Sequence, residues 1–146
     1  MLTAKDIAEY LLRLSDSEAS DITNLKIQKL LYYVQGFNLA MHGEKMFNDP
    51  IEAWQYGPVV ADLYHAYKGN GSGVISPSNN YEFTRSLTEE EEELILEVND
   101  VYGQFSGPKL MHMTHEERPW LEAIEKKNKE INLNTMQVYF KQLLTE

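Results

Sequence analysis

The sequence predicts a mainly α-helical protein: a compact single-domain helical bundle around one central buried helix, about residues 23–42, with a small two-stranded β ribbon. Three observations predict it. Apolar residues recur at helical spacing in segments bracketed by capping and stop residues. One long segment is apolar on two sides, as a helix enclosed by its neighbours must be. Strand-like alternation is confined to two short stretches. The 146 residues suit one domain spanning 1–146, since a chain of this size buries enough surface for a full core.

The elements follow in chain order. Thr3 reads as an N-cap with Asp6 three residues on, and Ile7, Leu11 and Leu14 form the apolar stripe of a helix ending near Ser15. Polar residues 15–21 make a loop. Thr23 then caps the long helix, which runs to about His42 and stops at Gly43. On its wheel Ile27, Leu30, Leu31, Val34, Phe37 and Met41 form one stripe, and Leu25, Tyr32, Gly36 and Leu39 another. Gly36 and Ala40 permit close approach of a neighbour, and Lys26, Lys29 and Tyr33 are left to the narrow remaining strip.

After a turn at Asn48, Asp49 and Pro50, residues 51–56 read as a short strand broken by Gly57 and Pro58. Pro58 is expected to open a short helix with Val59, Leu63 and Tyr67 on one side and Gly69 at its end. Residues 69–80 read as an exposed, mobile loop, and the alternating stretch 81–85 as the partner of the earlier strand. Thr88 and Glu91 form a capping box ahead of a helix with Leu94, Ile95, Val98 and Val101 inward and Gly103 at its end. Ser106, Gly107 and Pro108 open another, with Leu110, Met111 and Met113. Pro119 restarts a helix expected to hold Trp120, Ile124 and Ile131, and a last one after Asn134 carries Met136, Phe140 and Leu143.

Composition narrows the chemistry. The chain has no cysteine, which rules out disulfides, thiolate zinc sites and a cysteine nucleophile. Its start lacks the basic and then apolar order of a signal peptide, and no stretch approaches the ~20 apolar residues of a membrane span, so a cytoplasmic home is expected. A net charge of −10 with dispersed Lys and Arg argues against direct nucleic-acid binding and favours a basic protein partner. No cofactor or metal is implied.

Candidate constellations each have a bland counterpart. The run Glu89 to Glu93 fits the solvated start of a helix, where the macrodipole favours acids, better than a cation site. His112 and His115 share a helical face and precede Glu116 and Glu117, but no His-Glu-x-x-His motif is present. His115 sits at a joint between helices, where its imidazole is expected to satisfy a backbone carbonyl or a carboxylate. Trp54, Tyr56, Tyr64, Tyr67 and Trp120 are of the residue types enriched among interface anchors, although most should be core. Tyr64, Tyr67 and Lys68 frame a candidate contact surface, and Lys26 and Gln35 are candidates of the same kind. The glycine-rich residues 69–73 lack a phosphate-loop ending.

Three segments carry a resemblance: Thr23-Asn24-Leu25-Lys26-Ile27-Gln28-Lys29-Leu30-Leu31-Tyr32-Tyr33-Val34-Gln35-Gly36, Ile51-Glu52-Ala53-Trp54-Gln55-Tyr56-Gly57-Pro58-Val59-Val60, and Thr114-His115 followed by Pro119-Trp120. Together they resemble the Panacea domain of SocA-like, phage-associated antitoxins over about residues 5–125. That resemblance implies an antitoxin that neutralises a cognate toxin by direct contact, commonly encoded on mobile elements, and it names no toxin. Family signature positions fall on Lys26, Gln28, Gln35, Trp54, Tyr56, Gly57, Pro58, Tyr64, Lys68, His115, Pro119 and Trp120. Lys26, Gln35, Tyr56, Tyr64, Lys68 and His115 are taken as partner-binding, and Trp54, Gly57, Pro58, Pro119 and Trp120 as structural, with Trp54 in the core and Pro58 starting a helix. Phe37 departs from the family's frequent Trp, and autoregulation through the DNA-binding region that some members carry before the domain is not expected. An adaptor delivering a target to a host protease, or a small enzyme using His115 with Glu116 or Glu117, are the competing readings. The many aromatics also allow self-association.

Overall fold

The computed structural model describes residues 1–17 and 19–145; Glu18, in the predicted loop, and Glu146 lie outside the described residues. Seven α-helices and one antiparallel ribbon make up the described chain. Helix α1 (Ala4–Leu14) is closed at its start by the predicted Thr3 cap, here completed to a box in which the Thr3 hydroxyl accepts from Asp6 N–H while the Asp6 carboxylate accepts from Thr3 N–H. Helix α2 (Asn24–His42) begins at Thr23 and ends at Gly43, whose φ of +72° is the left-handed conformation that glycine adopts at least cost. The ribbon pairs β1 (Glu52–Trp54) with β2 (Gly57–Val59). Then come α3 (Ala61–Tyr67), a 3₁₀ turn (Lys68–Asn70), α4 (Glu89–Tyr102), α5 (Gly107–His115), α6 (Arg118–Glu125) and α7 (Leu133–Leu144).

Helix α2 is the centre. It packs against α7, α5 and α4, and more lightly against α1 and α3. Gly36 lets α7 approach so closely that a Cβ there would collide with the Phe140 ring. Tyr32, Phe37 and Phe140 meet edge to face around that contact, and Tyr33 stacks on Tyr102 with ring centroids 3.9 Å apart.

The strip assigned to Lys26, Lys29 and Tyr33 is not free. Tyr33 and Lys29 are fully buried and Lys26 is 1% exposed. The polar side chains of α2 instead bond to the backbone of the segments around them. Asn24 donates to Tyr64 O at 3.0 Å, Lys26 to Gly103 O at 2.6 Å and Lys29 to Pro58 O at 3.1 Å. Gln28 accepts from Val60 N–H at 2.8 Å. Gln35 accepts from Met46 N–H and donates to Phe47 O, and Asn38 donates to Glu44 O. Each bond gives a partner to a backbone group of a segment pressed against the helix, most of them in loops or at the ends of short elements.

Several expectations are corrected. Strand β1 pairs with residues 57–59 rather than 81–85, because Gly57 takes a φ of +100° and turns the chain back within two residues. Residues 81–85 are occupied elsewhere: Tyr81 OH and Thr84 N–H both donate to Asp6. Pro58 lies in β2, so the helix starts three residues later at Ala61, and a 3₁₀ turn carries the chain past Gly69. The glycine-rich loop is pinned at Ile75, which is buried and donates its N–H to Ile22 O. Ile131 follows α6 rather than belonging to it, and its N–H donates to Ile51 O, adding an edge to β1. Met41, Val101 and Ile124, expected inward, are exposed.

Replacing Gln35 by Met keeps its length but leaves Met46 N–H and Phe47 O buried without partners. Urea denaturation should show a loss of about 1–3 kcal/mol for each stranded group; an unchanged midpoint would contradict this account of the α2 side chains.

Candidate functional site

The β1–β2 hairpin is held by three donors from three elements. Trp120 Nε1 donates to Trp54 O at 2.8 Å, His115 Nε2 to Gln55 O at 2.9 Å, and Lys29 Nζ to Pro58 O. Because a carbonyl only accepts, the His115 bond places a proton on Nε2. The His115 ring also stacks on Trp120, with centroids 4.2 Å apart. Gly57 is required twice over here. Its φ is positive, and a Cβ would lie 2.8 Å from both Lys29 Cε and Thr114 Oγ1. Pro119 opens α6 within its first turn, where the missing N–H is harmless, and so sets Trp120 under the hairpin.

So clamped, the hairpin presents its own aromatics outward. Trp54 is half-buried rather than core, Tyr56 is exposed at the turn, and the Trp54 and Tyr64 rings meet edge to face at 5.0 Å. With α2 as floor and Lys68 and Gly71 at the far rim, they enclose a cleft of about 410 Å³. The carbonyl of Tyr64 is fixed to Asn24, whose side-chain oxygen in turn accepts from Gln28. The position of α3 along the cleft is therefore set by the same polar side chains that hold the fold.

Of the residues taken as partner-binding, the structure gathers Tyr56, Tyr64 and Lys68 around this cleft. Lys26 and Gln35 are buried in bonds within the protein, Lys26 to Asp21 and Gly103 O and Gln35 to the 46–47 backbone, and neither reaches the surface. His115 serves the hairpin from behind. Sequence reasoning missed Lys29 and Asn24 in the floor of the cleft. A signal existed, since polar residues inside a helix that is apolar on two faces must bond to something.

The carboxyl of Glu117 is buried and accepts from the hydroxyls of Tyr32 and Tyr33, each at 2.9 Å. It is thereby engaged with α2 instead of His115. His112 is exposed with its ring 6.4 Å from that of His115, and no group of three or more metal-ligating side chains occurs among the described residues. The acidic run resolves into a capping box at Glu91, which also pairs with Arg85, and a Glu92 carboxylate that accepts from Tyr10 OH.

Burial moves two groups toward neutrality. Desolvation raises Glu117 from 4.5 to about 7 against the pull of its tyrosine donors, and desolvation lowers Lys29 from 10.5 to about 7. For Glu117 the folded state keeps a proton that the unfolded chain releases, so its contribution is full below pH 4.5 and is lost as pH rises through 7. For Lys29 the unfolded chain keeps the proton, so stability rises with pH from about 7 toward 10.5. Thermal melts should therefore pass through a minimum near pH 7. Glu117→Gln should flatten the acid side and Lys29→Met the alkaline side, each group's slope reaching at most about 1.4 kcal/mol per pH unit.

Comparison with known proteins follows the residues that build this clamp. Residues 27–121, from the floor of the cleft to just past Trp120, match the family described as "Antitoxin SocA-like, Panacea domain". A stretch of 72 residues is 37% identical to Antitoxin SocA of Caulobacter vibrioides (strain NA1000 / CB15N), covering 49% of this chain and 38% of that protein. The chain thus spans well under two thirds of that relative's length. No solved structure matches. With nearly two thirds of its length inside the family match, the chain belongs to the SocA-like antitoxin family and carries its Panacea domain.

Proposed function

We propose that this protein is an antitoxin-type binding protein, acting as one Panacea-like domain in the cytoplasm and neutralising a cognate toxin by direct contact. Membership of the SocA-like antitoxin family is the observation that carries the reading. The hairpin–α3 cleft is the contact surface we propose. Its support is chemical: Trp54, Tyr56 and Tyr64 offer rigid, amphipathic area at a rim open to solvent, and Lys68 adds a point charge. The net charge of −10 favours a basic toxin by speeding encounter. Coding on a phage or another mobile element belongs to the same proposal.

A second route, delivery of the toxin to a host protease, would use the same surface and differs only in the fate of the complex. The acid–base reading receives no support from the geometry in its Glu117 form, since Glu117 is bound to Tyr32 and Tyr33 and His115 to the hairpin.

Co-expression with the product of the adjacent gene tests the proposal through growth and co-purification. Rescue with a stable complex is expected, burying on the order of 1,600 Å². Tyr56→Ala and Tyr64→Ala should each weaken that complex by about 1–2 kcal/mol without lowering the melting temperature appreciably. Lys26→Met should do the reverse, altering stability and leaving affinity in place. Rescue without a complex would favour degradation, and a toxic neighbour that is neither bound nor rescued would overturn the proposal.

A further inference from the structure

Toward the C-terminal end of α2, Met41, Val101 and Leu144 are 49%, 52% and 47% exposed. They do not stand singly. Together with Phe37, Val98 and Tyr102 they line one shallow groove of about 170 Å³, between α2, α4 and the end of α7. Met41 and Val101 continue the apolar stripes of their helices, at positions whose spacing marks them for burial. A face patterned for a core and left open marks a contact with something outside the fold.

The charge beside the groove indicates what that is. Helix α4 carries seven carboxylates and no basic residue. Glu91 and Glu92 are engaged with Arg85 and Tyr10. Glu90, Glu93, Glu97 and Asp100 are exposed and make no ion pair among the described residues. Their spacings of three, four and three residues put them in one acidic stripe directly beside the apolar stripe Leu94, Val98 and Val101. An apolar seam flanked by a row of one charge is how a helix selects a partner helix with the opposite row.

We infer that this groove takes the apolar face of a basic amphipathic helix from a partner protein. The groove is too small for a drug-sized molecule, whose sites run to ~300–1,000 Å³, but it suits the protruding side chains of a helix laid along it. A second copy of this chain docked through the same face is a poor occupant, because it would bring another acidic stripe on an α4 that carries no basic residue. The inference is independent of the hairpin cleft and does not require the partner to be a toxin.

Isotope-labelled full-length protein titrated with synthetic helical peptides tests it at near-physiological salt, about 0.15 M. One peptide has a leucine face and a lysine face, the second replaces every Lys by Glu, and the third replaces every Leu by Ser. The Lys–Leu peptide should shift the amides of Met41, Val101 and Leu144, and the other two should not. Val101→Asp and Leu144→Asp alter exposed positions, and each should weaken binding about tenfold or more with the melting temperature kept. Glu97→Lys should weaken it severalfold. Absence of binding, shifts confined to other faces, or equal binding of the Lys–Ser peptide would overturn the proposal. So would a dimer of the free protein that Val101→Asp dissolves, which would make a second copy the occupant. Growth rescue is scored separately, so failure of the antitoxin reading and failure of this one are distinguishable.

Discussion

The structure depends on a helix whose polar side chains are buried and bonded to other segments' backbone. Asn24, Lys26, Gln28, Lys29, Gln35 and Asn38 together engage the backbone at Tyr64, Gly103, Val60, Pro58, Met46, Phe47 and Glu44. Irregular chain packed against a core strands its N–H and C=O groups, and leaving one unpaired costs about as much as a hydrogen bond contributes or more. Helix α2 meets that requirement for most of the segments around it. The same side chains therefore specify where each loop lies, which apolar packing alone would leave loosely defined.

That arrangement links the fold to the contact surface proposed at the hairpin. A two-residue turn between three-residue strands has little stability of its own. It is held because Lys29, His115 and Trp120 occupy its carbonyls from α2, α5 and α6, and because Gly57 leaves room for the lysine stem. Trp54 and Tyr56 are thus presented to solvent on a rigid support, which lowers the entropy lost when a partner binds. His115 and Trp120 hold the hairpin from behind and are positioning residues for the proposed contact surface.

Electrostatics divides the molecule in a similar way. Around α2, Lys29 is buried and bonded to a carbonyl, with no ion pair to a carboxylate among the described residues, and the buried Glu117 is held by two tyrosine hydroxyls. Burial drives both groups toward their neutral forms. Exposed carboxylates gather on α4, beside the apolar groove. The α4 acids therefore bear on the association proposed above, while buried Lys29 and Glu117 bear on the pH dependence of folding.

By itself the sequence determined the helices that rest on local chemistry. The caps at Thr3 and Thr23, the box at Thr88, the stop at Gly43 and the two-faced α2 all lie within a few residues of the bonds that define them. The family was legible as well, in the motifs at residues 23–36 and 51–60. What only the tertiary structure decided is every long-range pairing. The partner of β1 depended on the φ of Gly57 and on Asp6 holding residues 81–85, 75 or more positions away in sequence. Lys26, Lys29 and Gln35 read as surface or interface because a polar side chain is cheapest in water, and only the carbonyls brought to them by distant loops make burial favourable. Val101 and Met41 read as core for the opposite reason: periodicity records that a face is apolar, and packing alone decides whether this chain or another covers it.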